Sequence, residues 1–161
     1  MQLDVSTDYP DAVTIETATL RDLKALRQIE KICFQDDAWP LLDLMGVLTF
    51  PNIVRLKAVS GDDLIGFIAA DIRRAQNVAW IATLCVLPEF RRQGIGAGLL
   101  AGCESRLDMP HIRLTVRESN RAAIRLYEKF GYRQVDRWTK YYRDGGAALV
   151  LQKDLHLNRS S

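Results

Sequence analysis

Between residues 78 and 116 the chain changes character three times in a fixed order, and that order constrains the fold more than any other feature. Val78 to Leu87 is an apolar run of ten residues, long enough for a buried strand and too short to span a bilayer. Arg91-Arg92-Gln93-Gly94-Ile95-Gly96-Ala97-Gly98 follows. Ile95, Leu99, Leu100, Cys103 and Leu107 then recur at helical spacing until Pro110 stops them, and Ile112, Leu114 and Val116 alternate with His111, Arg113 and Thr115 as a strand requires. The order strand, helix, strand is therefore expected, with glycines at the start of the helix. Glycines there let the backbone turn tightly and leave its N–H groups open, and a helix N-terminus adds partial positive charge, so a diphosphate could sit on the loop. A dinucleotide fingerprint beginning at Gly94-x-Gly96 would need glycine where Leu99 stands, and the Gly-Lys-Ser/Thr of a nucleotide-triphosphate loop is absent. A purely structural use also stays open, with Gly94 and Gly96 allowing the turn while Gly98 and Gly102 permit close packing.

The flanking segments supply the rest of a mixed α+β chain. A strand is expected near 12–17. Thr19-x-x-Asp22 then has the form of a capping box, and Leu23, Leu26, Ile29 and Cys33 predict a helix over about 20–33. Pro40 suits the start of a short second helix that carries Leu41, Leu44, Met45 and Leu48 and ends at Pro51. Strand-like runs at 53–59, 64–73 and 78–87, separated by turn residues, read as a meander. Beyond the central unit, Ser119 is placed to cap a helix whose apolar face is Ala123, Leu126, Tyr127 and Phe130, with Gly131 at its left-handed end. Two strands, near 132–142 and 147–155, complete the chain. No repeat, linker or low-complexity tract interrupts residues 1–161, which read as a single domain.

Composition narrows the function classes. Three cysteines, Cys33, Cys85 and Cys103, are an odd number and include no C-x-x-C pair, which argues against a disulfide framework and a zinc knuckle. A reducing cytoplasm and no metal are expected. The start MQLDVSTDYPD lacks the basic and apolar regions of a signal peptide, so no membrane association is expected. The net charge of +2 conceals an asymmetry: residues 1–72 hold 6 Lys/Arg against 12 Asp/Glu, and residues 73–143 hold 14 against 6. The central segment suits an anionic ligand. Nucleic acid is disfavoured, because the arginines do not interleave with aromatics on one reading element.

Arg91-x-x-Gly94-x-Gly96 resembles the Gln/Arg-x-x-Gly-x-Gly/Ala loop of the GNAT superfamily of acetyl-CoA-dependent N-acetyltransferases. Ser119-Asn120-x-x-Ala123-x-x-Leu126-Tyr127-Glu128-x-x-Gly131-Tyr132 is similar to that superfamily's second signature. The order of elements also agrees, which implies a mixed, mostly antiparallel central sheet of about seven strands flanked by about four helices. Within the superfamily the chain most resembles the ribosomal-protein-alanine N-acetyltransferases and related enzymes of protein N-termini, through Leu114-Thr115-Val116-Arg117, Tyr141-Tyr142 and, loosely, Trp39-Pro40. Two departures stand out. Thr115 occupies the position where bacterial members carry a proposed glutamate base, and threonine has no useful pKa for that role. Gly145-Gly146-Ala147-Ala148 replaces acidic residues.

The resemblance implies acetyl-CoA as co-substrate and assigns its contacts. Leu84, Cys85 and Val86 would offer backbone groups to the pantetheine arm, with the Val86 N–H as candidate donor to the thioester carbonyl and a slot where this strand splays from its neighbour. Arg91, Arg92, Gln93, Gly94, Ile95, Gly96 and Ala97 would hold the diphosphate, and Asn120, Ala123 and Tyr127 would contribute from the following helix. Tyr127 is the catalytic candidate: a phenol of unperturbed pKa about 10 can protonate a thiolate leaving at neutral pH. Its helical spacing alone reads equally as a core aromatic. Trp39, Thr115 and Tyr141 are the acceptor-side candidates, while Tyr141, Glu118 and His111 are the remaining groups able to relay the amine's proton. The acceptor is expected to be a protein or peptide α-amine, with a small amine or a non-catalytic acyl-CoA sensor as alternatives. The partners are acetyl-CoA and that acceptor, with no nucleic acid and no membrane, and the chain is expected to be a monomer or dimer.

Overall fold

The computed structural model describes residues 3–4 and 12–155. The chain divides into two compact units: one takes the chain up to Ala70 together with Thr83–Leu107, the other Asp71–Ala82 together with the chain from Asp108 onward. The elements run β1 (Leu3–Asp4), β2 (Val13–Thr17), α1 (Leu23–Phe34), α2 (Leu41–Thr49), β3 (Ile53–Ser60), β4 (Asp63–Arg73), β5 (Val78–Val86), α3 (Ile95–Ser105), β6 (His111–Arg117), α4 (Arg121–Lys129), β7 (Arg133–Trp138) and β8 (Ala148–Asp154). Among the described residues, four α-helices and seven strands of five residues or more match the expected mixed fold, and β1 adds a two-residue edge.

In the first unit the strand order is β1-β2-β3-β4-β5, with β1 and β3 both antiparallel to β2. The middle of β4, Ile65 to Ala70, is buried on both faces, which explains its unbroken apolar sequence. Helices α1 and α2 bury Leu26, Ile29, Leu44, Val47 and Leu48 around Phe67 and Cys85. The start of α1 is fixed by Asp22, whose carboxylate accepts the Thr19 N–H at 2.8 Å and the Lys57 ammonium at 2.9 Å. A single 3-10 turn, Leu20–Asp22, precedes the α-helix that the periodicity predicted from residue 20. The end of α2 is closed by Arg55, whose guanidinium donates to the carbonyls of Leu48, Phe50 and Ile53.

In the second unit the order is β5-β6-β8-β7. The first half of β5 pairs in parallel with β6, from Val78 opposite His111 to Ile81 opposite Leu114, as the strand-helix-strand order demands. β8 runs antiparallel to both β6 and β7. Asn120, not Ser119, caps α4: its side chain accepts the Ala123 N–H at 3.2 Å. The asparagine carbonyl reaches the third helical N–H, so the cap falls one residue later than Ser119. Gly131 follows the helix at φ +93°, the left-handed conformation expected there.

Gly66 shows how closely the first unit is packed. A Cβ at this position would lie 3.0 Å from Leu99 Cδ1 and 3.3 Å from the Cys85 carbonyl oxygen, so α3 sits directly on β4. Gly66→Ala is expected to destabilise the protein by about 1–3 kcal/mol through overpacking. Urea denaturation with an unchanged m-value would show this.

Candidate functional site

The expected site residues fall into both units, and each group has its own local geometry. In the first unit β5 ends at Val86, and the Leu87 N–H donates to the Ile65 carbonyl at 2.8 Å. The chain then passes through a short 3-10 turn, Pro88–Phe90, and enters α3 at Gly94, which has φ +79°. Only glycine takes that conformation freely, so Gly94 sets the turn itself. No side chain caps α3 at this position, and Arg91, Arg92, Gln93 and Gly94 are exposed. The first N–H groups of a helix have no partner within it, which leaves donors and the positive end of the helix dipole at the loop. Ile95 is buried as an anchor, while Gly96 and Ala97 are half-buried. This local arrangement suits an anionic group and could cradle a diphosphate.

Val86 is held from two sides. Its carbonyl accepts the Arg91 Nε–H at 3.0 Å and the Cys33 thiol at 3.5 Å. The Arg91 side chain therefore fastens the glycine loop to the end of β5. Cys33 is hydrogen-bonded to Cys85, and this bond, with help from Arg91, lowers the Cys33 thiol to about 7 against the opposing effect of burial. The same bond and burial push Cys85 up. The sequence offered no partner for Cys85, because a helix and two strands lie between α1 and β5, which carry the two cysteines. Trp39 is half-buried and packs on the core formed by α1 and α2. Leu84, like Val86, is half-buried on β5.

In the second unit Tyr127 is buried, and its ring meets Tyr132 edge-on with centroids 5.7 Å apart. Asn120 and Ala123 lie on the same first turn of α4, joined by the cap. Thr115 is half-buried on β6, opposite Val150. Tyr141 is half exposed and meets Trp138 at a tilt and Tyr142 edge-on, with centroids 5.5 and 5.0 Å away. Trp138 in turn stacks on Trp80 at 6.3 Å, so Tyr141 belongs to an aromatic series that the sequence did not announce. Arg117 is drawn into the same loop: it pairs with Asp144 at 3.0 Å and lies over the Tyr142 ring at 4.1 Å. A Cβ on Gly146 would come within 2.7 Å of Arg117 Nη1, so the guanidinium lies close over this turn of the backbone.

The groups proposed for proton relay are differently placed. Both carboxylate oxygens of Glu118 accept from Arg137 at 2.9 Å, and that pairing lowers its pKa and weakens it as a base. His111 Nδ1 lies 2.8 Å from Asp154. Among the described residues no three His, Cys, Asp or Glu side chains gather as a metal site. A depression of about 380 Å³ in the first unit, lined by Thr17, Thr49, Ile53 and Arg55 among others, contains none of the expected site residues. The Arg55 guanidinium that lines it is already engaged in closing α2.

Residues 23–132 match the sequence profile of the Acetyltransferase (GNAT) family. The chain belongs to this family. Among its relatives, the N-alpha-acetyltransferase RimI of Mycobacterium tuberculosis is 31% identical over 153 residues, covering 89% of this chain and 94% of the relative. The catalytic subunit NAA10 of the Arabidopsis thaliana N-terminal acetyltransferase A complex is 29% identical over 150 residues, covering 89% and 78%. The fold is also that of the ribosomal-protein-S18-alanine N-acetyltransferase of Escherichia coli, with a TM-score of 0.81, 24% identity, and coverage of 92% of this chain and 97% of the other. In this acetyltransferase the glycine turn and α4 lie within the matched residues, whereas the Cys33–Cys85 pair and the Arg117 loop emerge from the contacts described above.

The cysteine pair predicts selective chemistry. Thiolate is the reactive form, so iodoacetamide should label Cys33 first, at a rate that rises with pH through a midpoint near 7. Cys103, pushed up to about 12 by burial, should resist labelling in the folded protein. Peptide mapping by mass spectrometry across pH reads both. A Cys33 midpoint at the ordinary thiol value of about 8.5 would show that Cys85 and Arg91 do not stabilise its thiolate.

Proposed function

We propose that this chain transfers the acetyl group of acetyl-CoA to the α-amine of a protein or peptide N-terminus, and that residues 1–161 work as one acetyltransferase domain. The observation that carries the reading is the left-handed Gly94 at the uncapped start of α3 within a chain of the GNAT family. It is supported by relatives named as N-terminal or N-alpha acetyltransferases that match most of the chain. We place the enzyme in the cytoplasm, as a monomer or dimer that acts without nucleic acid; among the described residues no helix is long and apolar enough to cross a membrane.

Acetyl-CoA supplies an activated thioester. Backbone N–H groups from Gly94 to Ala97, with Arg91 and Arg92, hold its diphosphate, and Gln93 shapes the loop. Backbone groups of Leu84, Cys85 and Val86 align the pantetheine arm, and the Val86 N–H polarises the carbonyl. Asn120 and Ala123 contribute from the start of α4. Tyr127 Oη delivers a proton to the departing thiolate. Trp39, Thr115 and Tyr141 bound the acceptor, and because Thr115 has no group of suitable basicity, the amine loses its proton to water. The acidic balance of residues 1–72 favours an approaching ammonium.

Gly96→Asp is expected to lower acetyl-CoA affinity by about tenfold or more in calorimetric titration, because it sets a carboxylate against the diphosphate. Unchanged affinity in a folded variant would remove the loop from the site. Tyr127→Phe should cut kcat by about 10² to 10⁴ with acetyl-CoA affinity nearly unchanged, and Thr115→Val should cost far less. Full activity of Tyr127→Phe would refute the acid role. Across an acceptor panel, peptides beginning with Ala or Ser should exceed spermidine, lysine and aminoglycosides in kcat/KM; the reverse order would make this a small-amine enzyme.

A further inference from the structure

Glu30 is completely buried on α1, one turn before Cys33 and on the face that otherwise carries Leu26 and Ile29. Its Oε1 accepts the Thr83 hydroxyl proton at 2.9 Å, and its carboxyl also receives the backbone N–H of Trp39. Oε2 is buried without a hydrogen-bond partner. An apolar side chain would fill this position without desolvating a carboxyl, and leaving an oxygen unpaired adds to that penalty. Local rules are broken in this way where a group has a task beyond packing. The partners of Glu30 identify the task, because they belong to two segments remote from each other in sequence. Thr83 is on β5, three residues before Val86, and Trp39 lies in the connection between α1 and α2. Burial raises the carboxyl's pKa and the two hydrogen bonds oppose that rise, so the bonds also decide how much charge it retains.

We propose that Glu30 is a positioning residue for the acceptor: it ties the Trp39 segment to β5 and so fixes the wall against which the incoming amine is aligned. This rests on the assignment of Trp39 to the acceptor side in the reading above. Glu30 touches neither substrate in this scheme. Its effect passes through the Trp39 backbone, while Cys33, Cys85 and Arg91 fasten the next turn of α1 and the glycine loop to the same end of β5.

The test compares Glu30→Gln, Glu30→Leu and Thr83→Val with the parent enzyme. Four quantities are measured: acceptor KM, kcat, acetyl-CoA affinity, and amide hydrogen exchange at Trp39. Glu30→Leu should raise acceptor KM by about fivefold or more, while kcat and acetyl-CoA affinity stay within about twofold. The Trp39 amide should exchange about tenfold faster, because its acceptor is gone. Thr83→Val should shift both readouts in the same direction. Glu30→Gln should restore much of each, since an amide oxygen still accepts a hydrogen bond. Should Glu30→Leu fail to fold, Thr83→Val and Glu30→Gln decide the matter alone.

Unchanged KM with unchanged exchange would overturn the proposal, as would faster exchange with unchanged KM. Parallel losses in kcat and acetyl-CoA affinity would reduce Glu30 to a general structural role and overturn it too. If the parent enzyme acetylates a small amine in preference to peptides, the peptide reading fails and KM for that amine decides the role of Glu30. If the parent acetylates no amine, both readings fall.

Discussion

A parallel pair of strands cannot be closed by a hairpin, and that constraint at β5 and β6 governs the part of the chain that carries the chemistry. The connection must leave the end of β5, cross as a helix and return, so α3 is obligatory. The turn into α3 is sharp, and Gly94 makes it in a left-handed conformation that a side chain would oppose. An uncapped helix N-terminus then stands beside the end of a strand, where free backbone donors and the helix dipole act together. Arg91 stabilises this arrangement by spending its Nε–H on the Val86 carbonyl, so the arginine next to the glycine loop fastens as well as attracts.

The chemistry of acetyl transfer explains why so few ionisable side chains are needed near that turn. A thioester is already activated, a backbone N–H can polarise its carbonyl, and the departing thiolate needs one proton donor. In the proposed reaction Thr115, which has no basicity of use, therefore need not act as a base. Three carboxylates of the second unit are committed elsewhere. Glu118 is doubly bonded to Arg137, Asp144 accepts from Arg117 and the Gly146 N–H, and Asp154 accepts from His111 and Gln152. Each is held below the usual carboxylate range by those partners.

The loop after β7 is organised around one arginine. Arg117 leaves the end of β6, pairs with Asp144 and covers the face of Tyr142. The guanidinium occupies the space that a side chain at 146 would need, and Gly145 turns at φ +87° to bring the backbone around it. The Tyr141 and Tyr142 N–H groups both donate to the Gly146 carbonyl at 3.1 Å, so the same turn sets the backbone that bears the two tyrosines. Trp138 and Trp80 extend the aromatic series along this unit.

What the sequence determined by itself is what depends on near neighbours: strand alternation, helical spacing, caps, and the glycine turn. Val78–Val86, Ile95–Ser105 and His111–Arg117 fall close to their expected bounds, and Gly94 and Gly131 adopt the left-handed conformations their positions imply. The family was legible for the same reason, because both its signatures are short and contiguous. Caps could be misplaced by one residue, as at Ser119 and Asn120, since several side chains in a row can reach the same N–H groups. Only the tertiary structure decided which side chains meet across long stretches of chain. Glu30 and Thr83, like Cys33 and Val86, are 53 positions apart, and Arg117 and Asp144 are 27 apart. No periodicity encodes such pairs, because they arise from packing α1 on β5 and from folding a loop over an arginine. A buried carboxyl and a thiol lowered to about 7 are properties of those environments, and the same residues read in sequence are an ordinary helix glutamate and an unpaired cysteine.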